Sequence, residues 1–136
     1  TGVQTCALPI LFDRLLEPTR IYVPAMLALA KALPVHGFAH ITGGGLTDNI
    51  PRVLPANCGV TLQRNRWARD PVFEWLQATG RIADDEMHRT FNCGIGMVVI
   101  VAAEHGDEAL RVLRAAGEQA TVIGAVRPGA GEVVIE

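Results

Sequence analysis

A chain of 136 residues, 49% hydrophobic with mean hydropathy +0.25 and a formal net charge of −2, has the size of one domain with one compact core. No apolar run reaches the roughly 18 to 20 residues that cross a bilayer, and 12 basic against 14 acidic residues, well mixed, leave no footprint for nucleic acid or an anionic membrane. Cys6, Cys58 and Cys93 are odd in number, far apart and without CxxC spacing, which argues against a disulfide framework and a zinc site; a reducing cytoplasm is the expected compartment, with no signal peptide.

In chain order, the first twenty residues hold Pro9 and Pro18 and show no sustained period, so they read as an irregular lead-in with one helical turn at "LFDRLLE". Ile21 to Leu33 has helical spacing, with Pro24 in the first turn and Pro34 closing the run. A short strand is expected over Gly37 to Thr42, then three glycines, then a helix over "LTDNIPRVL" with Leu46, Ile50, Val53 and Leu54 on one side and Pro51 at its middle or at a break. "GVTLQ" (Gly59 to Gln63) alternates like a strand. Asp70 and Pro71 read as N-cap and first-turn proline of a helix ending at Gly80.

"ADDEMHRTF" reads as a short helix with an acidic start, "GIGMVVIVAA" as a strand buried on both faces, and "EHGDEALRVLRAAG" as a helix with Gly117 as terminator. "QATVIGAV" and "EVVIE" are expected as two closing strands joined by a turn at "RPGAG" (Arg127 to Gly131). The order α, β, α, β, α, α, β, α, β, β predicts a mixed α/β layered domain rather than a strict βαβ array.

Two segments carry possible chemistry. "HITGGGLTDNIPR" (His40 to Arg52) runs from strand to helix through Gly43, Gly44 and Gly45; exposed N–H groups plus a helix N-terminus suit an anion, although glycine also serves plain tight turns. It is neither GxGxxG nor a Walker A loop. Around it stand His40, Thr42, Asp48, Asn49 and Arg52. Arg52 suits bidentate pairing with a phosphate or carboxylate, or simple capping of nearby carbonyls. His40 suits general acid or base work, or a structural hydrogen bond.

"RTFNCGIGM" (Arg89 to Met97) is the second segment, a polar turn in which Asn92 suits substrate orientation. Cys93 reads as a small buried filler more readily than as a nucleophile. Asp84, Asp85 and Glu86 read as an N-cap and dipole complement more readily than as a metal site, so no metal ligand is assigned. Trp67, Phe73 and Trp75 read as core or docking aromatics.

"PTRIYV", "HITGGGLTDNIPRVLP", "WLQATG", "EMHRTFNCGIGM" and the closing "VIGAV" and "VVIE" together resemble, in order from about Leu11 to Glu136, the C-terminal half of the aminoimidazole ribonucleotide synthetase family. That resemblance implies a three-layer α/β/α domain with a mixed sheet. It implies an enzyme of purine synthesis that uses ATP and Mg2+ to close the imidazole ring of formylglycinamidine ribonucleotide, cytoplasmic and homodimeric. In this family an N-terminal domain carries most of the ATP site, so residues 11–136 taken alone are expected to be inactive.

The resemblance places Thr42, Gly43, Gly44 and Gly45 against a phosphate, with Asn49 and Arg52 nearby and Arg89, Thr90 and Asn92 lining the same cleft. It assigns no catalytic base, His40 being only a candidate. The family often has Lys where this chain has Pro24. Residues 1–10 do not resemble the family and are expected to be foreign to it. Related two-domain ATP-using enzymes (formylglycinamidine synthetase, selenophosphate synthetase, thiamine-monophosphate kinase) and a non-catalytic ligand-binding or assembly module remain as alternatives.

Overall fold

The computed structural model describes residues 13–136. Residues 1–10, expected to be foreign, and Cys6 lie outside them; of the lead-in turn, residues 13–15 are helical.

Helix α1 (Val23–Ala32) starts with Pro24 in its first turn and stops at Leu33, which turns extended (φ −153°, ψ 163°) as a residue before proline must. Its period places Ala25, Leu29 and Leu33 on one buried stripe. They pack on Ala109 and Leu113 of helix α5 (Gly106–Ala115). Strands β1 (Gly37–His40) and β3 (Met97–Ile100) form an antiparallel pair, Ala39 opposite Val98 and Phe38 opposite Val99. Because side chains alternate across a strand, Val98 and Ala39 enter one core while Val99 joins the α1/α5 cluster on the opposite face. The double coverage expected of the "MVVI" strand is therefore present.

The second sheet has the order β4-β2-β5: β2 (Cys58–Leu62) runs antiparallel to β4 (Gly124–Pro128) and parallel to β5 (Val133–Ile135). The mixed α/β class read from the sequence holds, with strands divided between two sheets. Val60 and Leu62 of β2 meet Ala39, Ile41 and Val98, and helix α2 (Gly45–Asn49) closes this core with Leu46 and Ile50. Helix α3 (Pro71–Gly80) and helix α4 (Asp84–Thr90) follow β2, and α4 packs on α2.

Several elements are shorter than the sequence reading, β1 ending at His40 and β3 spanning only Met97–Ile100, and four boundaries differ for a local reason or in position. The single helix expected over "LTDNIPRVL" is α2 followed by a 3-10 turn, Pro51–Val53, because Pro51 has no N–H to continue the ladder. Strand β2 begins one residue early, at Cys58. The closing strand expected over "QATVIGAV" starts only at Gly124 and runs on through Arg127 and Pro128, so only part of "RPGAG" is turn; as an edge strand, β4 tolerates the proline. The left-handed residue that ends α3 is Arg81 (φ 50°), after Gly80.

Asp70 caps α3, its carboxylate accepting from the Val72 N–H at 3.0 Å. Asp70→Ala is expected to lower stability by about 1 kcal/mol, seen as a lower urea midpoint at unchanged slope; an unmoved midpoint would show that the cap is idle.

Candidate functional site

The β1 strand delivers its ladder to the glycine loop: the Ile41 N–H reaches the Gly96 carbonyl at 2.9 Å, and the chain then folds back so that the Gly45 N–H reaches the Thr42 carbonyl at 2.9 Å. The three glycines do different work. Gly44 sits at φ 97° and Gly45 at φ 55°, left-handed positions that L side chains resist. A Cβ on Gly45 would also collide with the His88 carbonyl oxygen and lie 2.7 Å from that of Phe91, so the end of α4 rests directly on the start of α2. Gly43 is bound by neither constraint: its φ is ordinary, and nothing lies within 4 Å of where its Cβ would be.

Asn49, 4% exposed, points back into the loop. Its Nδ2 donates to the carbonyls of Thr42 (3.3 Å), Gly43 (3.2 Å) and Gly45 (2.8 Å). The amide that suited ligand contact in the sequence thus braces the loop from beneath. Thr42 and Arg52 are exposed, Arg52 on the 3-10 turn after α2.

On α4, exposed Arg89 pairs with Glu86 at 2.9 Å, and the Thr90 hydroxyl donates to the same Glu86 at 2.9 Å. Asn92 spans its own turn, its Oδ1 accepting from the Gly94 N–H at 3.1 Å, next to Cys93 at φ 49°. The Gly45 contact with His88 and Phe91 joins the two segments. His40, exposed at the end of β1, stands edge-on to Tyr22, ring centroids 6.0 Å apart. Burial, then the Glu118 carboxylate, hold the Tyr22 phenol above its ordinary value.

Cys93 is fully buried, and its Sγ donates to the Met87 carbonyl at 3.4 Å. Burial pushes its thiol up, against the opposing pull of Arg69, which leaves it without thiolate and fits the filler reading. Of the three acids, Asp85 accepts from the Glu86 N–H at 2.9 Å, but the N-cap position is Ala83, without a side-chain cap. Asp84 is engaged elsewhere.

That engagement is a polar network the sequence reading did not identify. Asp84 pairs with Arg64 and accepts from the Gln77 amide at 3.0 Å; Gln77 in turn accepts from Arg69 at 2.7 Å. Arg69 also lies 3.0 Å from Nε2 of His88, which is 3% exposed and set edge-on to Trp67. Burial and then the Arg69 guanidinium hold the His88 imidazole below its ordinary 6.5, although Asp84 pulls the other way. Burial alone would raise Asp84, but the Gln77 hydrogen bond and the Arg64 and Arg69 guanidinium charges outweigh it and keep the carboxyl below the usual range. A groove of about 520 Å³, bordered by Thr47, Arg64, Asp84, His88 and Arg89, opens beside this network. Asp84 and His88 are four apart on one helix face, a spacing that could have revealed that both meet Arg69.

With this geometry in place, the chain compares as follows. A family model described as AIR synthase related protein, C-terminal domain, matches residues 6–136. A phosphoribosylformylglycinamidine cyclo-ligase of Cupriavidus pinatubonensis is 62% identical over 115 residues, 85% of this chain and 33% of the relative. Proteins of the same name from Cupriavidus necator (59% over 115 residues) and Burkholderia ambifaria (58% over 117 residues) are similar over 85% and 86% of the chain. The chain spans about a third of the length of these relatives.

Gly45→Ala is expected to lower stability by roughly 2–4 kcal/mol, from left-handed strain and overpacking against α4. Asn49→Ala is expected to cost about 1–3 kcal/mol by leaving carbonyls without their donor. Chemical denaturation measures both, and a Gly45→Ala protein of parental stability would contradict the contact.

Proposed function

Since the chain belongs to the AIR synthase related protein C-terminal domain family, we propose that it is the substrate-facing domain of an ATP-dependent cyclo-ligase that converts formylglycinamidine ribonucleotide to aminoimidazole ribonucleotide. The observation that carries the reading to a site is Gly43. The two residues after it are glycines because the fold needs them, whereas Gly43 borders open space, and its missing side chain leaves the backbone accessible to a ligand.

In the proposed reaction the amide oxygen of the substrate takes the terminal phosphoryl group of ATP, which leaves as ADP. An amidine nitrogen then attacks that carbon, the ring closes, and the C–O bond breaks to release inorganic phosphate with loss of a proton. The chain's part is to bind and orient. The backbone at Gly43 and Gly44, with the Thr42 hydroxyl, meets a phosphate; exposed Arg52 and Arg89 supply positive charge around it. Asn49 holds the loop carbonyls back and so keeps the loop in one shape. Thr90 and Asn92 shape the neighbouring turn, and His40 beside Tyr22 offers an imidazole at the rim.

Among the described residues no three His, Cys, Asp or Glu side chains converge to hold a metal. ATP with its Mg2+ is assigned mainly to the part of the enzyme beyond this chain. Among the described residues no helix is long and apolar enough to cross a membrane. The reading implies a homodimeric, cytoplasmic full-length enzyme acting on a small ribonucleotide.

Gly43→Val in the full-length enzyme is expected to raise KM for a phosphate-bearing substrate about tenfold, near 1.4 kcal/mol of binding, with the unfolding midpoint unchanged. Unchanged KM and kcat would remove the loop from the site. The chain alone, given ATP, Mg2+ and formylglycinamidine ribonucleotide, is expected to show no turnover; turnover would contradict the assignment of the ATP site elsewhere.

A further inference from the structure

The mechanism above makes no use of His88, yet this residue is the buried link between the polar network and the loop. Its backbone carbonyl is the atom against which Gly45 rests, and the same carbonyl accepts from the Thr47 hydroxyl at 3.3 Å. A guanidinium has no lone pair, so the 3.0 Å contact with Arg69 requires Nε2 of His88 to accept. Only the neutral imidazole, with its proton on Nδ1, meets that partner.

We propose that neutral His88 is a positioning residue that holds the glycine loop in place, and that its protonation releases the loop. A proton on Nε2 turns an acceptor into a donor and sets two cations 3.0 Å apart in a site that is 3% exposed. The groups facing the ring are Arg69 before α3, Arg64 after β2 and Asp84 on α4, with the buried Cys93 thiol subject to the same three charges, and Asp85, Glu86, Arg89 and Glu136 line the groove that His88 borders. Asp84 already serves Arg64, Gln77 and, at 3.7 Å, Arg69 itself, so a charge on His88 would leave two guanidinium groups and an imidazolium sharing one carboxylate. Relief must come from movement of α4, and that helix carries the carbonyl under Gly45.

Because the fold holds the imidazole neutral, its contribution is complete above the ordinary value near 6.5 and is lost as pH falls below it toward the depressed folded value. The sense is opposite to that of a surface histidine gaining an anionic partner. The coupling of His88 to the loop stands on contacts within this chain; its consequence for substrate rests on the function proposed above.

Hydrogen exchange of the peptide spanning Gly43 to Thr47, followed in the full-length enzyme between roughly pH 5 and 8 and corrected for intrinsic exchange, tests the coupling. Protection is expected to fall roughly tenfold on acidification. His88→Gln keeps an acceptor for Arg69 and cannot take the proton, so its loop is expected to stay protected at both ends of the range. Should that variant fail to fold, Arg69→Gln serves: it keeps a donor, removes the facing cation, and is expected to move the transition up toward the ordinary histidine value. Protection that is flat with pH, or that falls equally in His88→Gln, overturns the proposal. Protection that follows pH while KM does not supports the coupling and counts against the ligand role of the loop.

Discussion

The contact on which the arrangement depends is the seat of Gly45 on the end of α4. A helix start and a helix end approach there closely enough that no Cβ fits, and the Thr47 hydroxyl and the Asn49 amide tie the surrounding carbonyls. Once that seat is made, Leu46 and Ile50 are directed into the core between the two sheets, and the loop before them has one way to run. Glycine adopts the left-handed backbone at these two successive positions without strain, so the seat and the turn before it are open to glycine and closed to larger residues.

Around that seat the molecule is built in layers whose logic is periodicity. The β1/β3 pair is covered on one face by the α1/α5 stripe and on the other by β2 with α2, so Ala39 and Val98 on one face and Val99 on the other are apolar. The three-stranded sheet has no such double cover among the described residues, and Val126 and Val134 remain well exposed on it. Exposed Ile21, Val23 and Leu27 at α1 belong to the same picture of a domain whose relatives are about three times its length.

Much of this was legible in the sequence. The Asp70-Pro71 pair announced a helix start because a cap and a fixed φ act locally, and the α1 stripe was legible because i, i+4 spacing needs no knowledge of its partner. What failed to show were properties of the partner. The β4 strand starts where Gly124 can pass the Thr61 carbonyl, a clash that exists only once β2 is beside it. The three glycines read as one motif, yet Gly44 and Gly45 answer to backbone angle and packing while Gly43 answers to neither. The Arg69–His88 contact joins residues nineteen apart on separate elements, so only the Asp84–His88 half left a trace in spacing.

The central claim is that the loop has a structural half, Gly45 with Asn49, and a ligand-facing half, Thr42 with Gly43. The most direct measurement is the backbone amide spectrum of the isotopically labelled domain within the full-length enzyme, titrated with formylglycinamidine ribonucleotide and with ATP. The account predicts saturable shifts at Gly43 and Gly44 with one of these ligands, and little change at Leu46 and Ile50 in the core. Saturation with both ligands while Gly43 and Gly44 stay unmoved would contradict it.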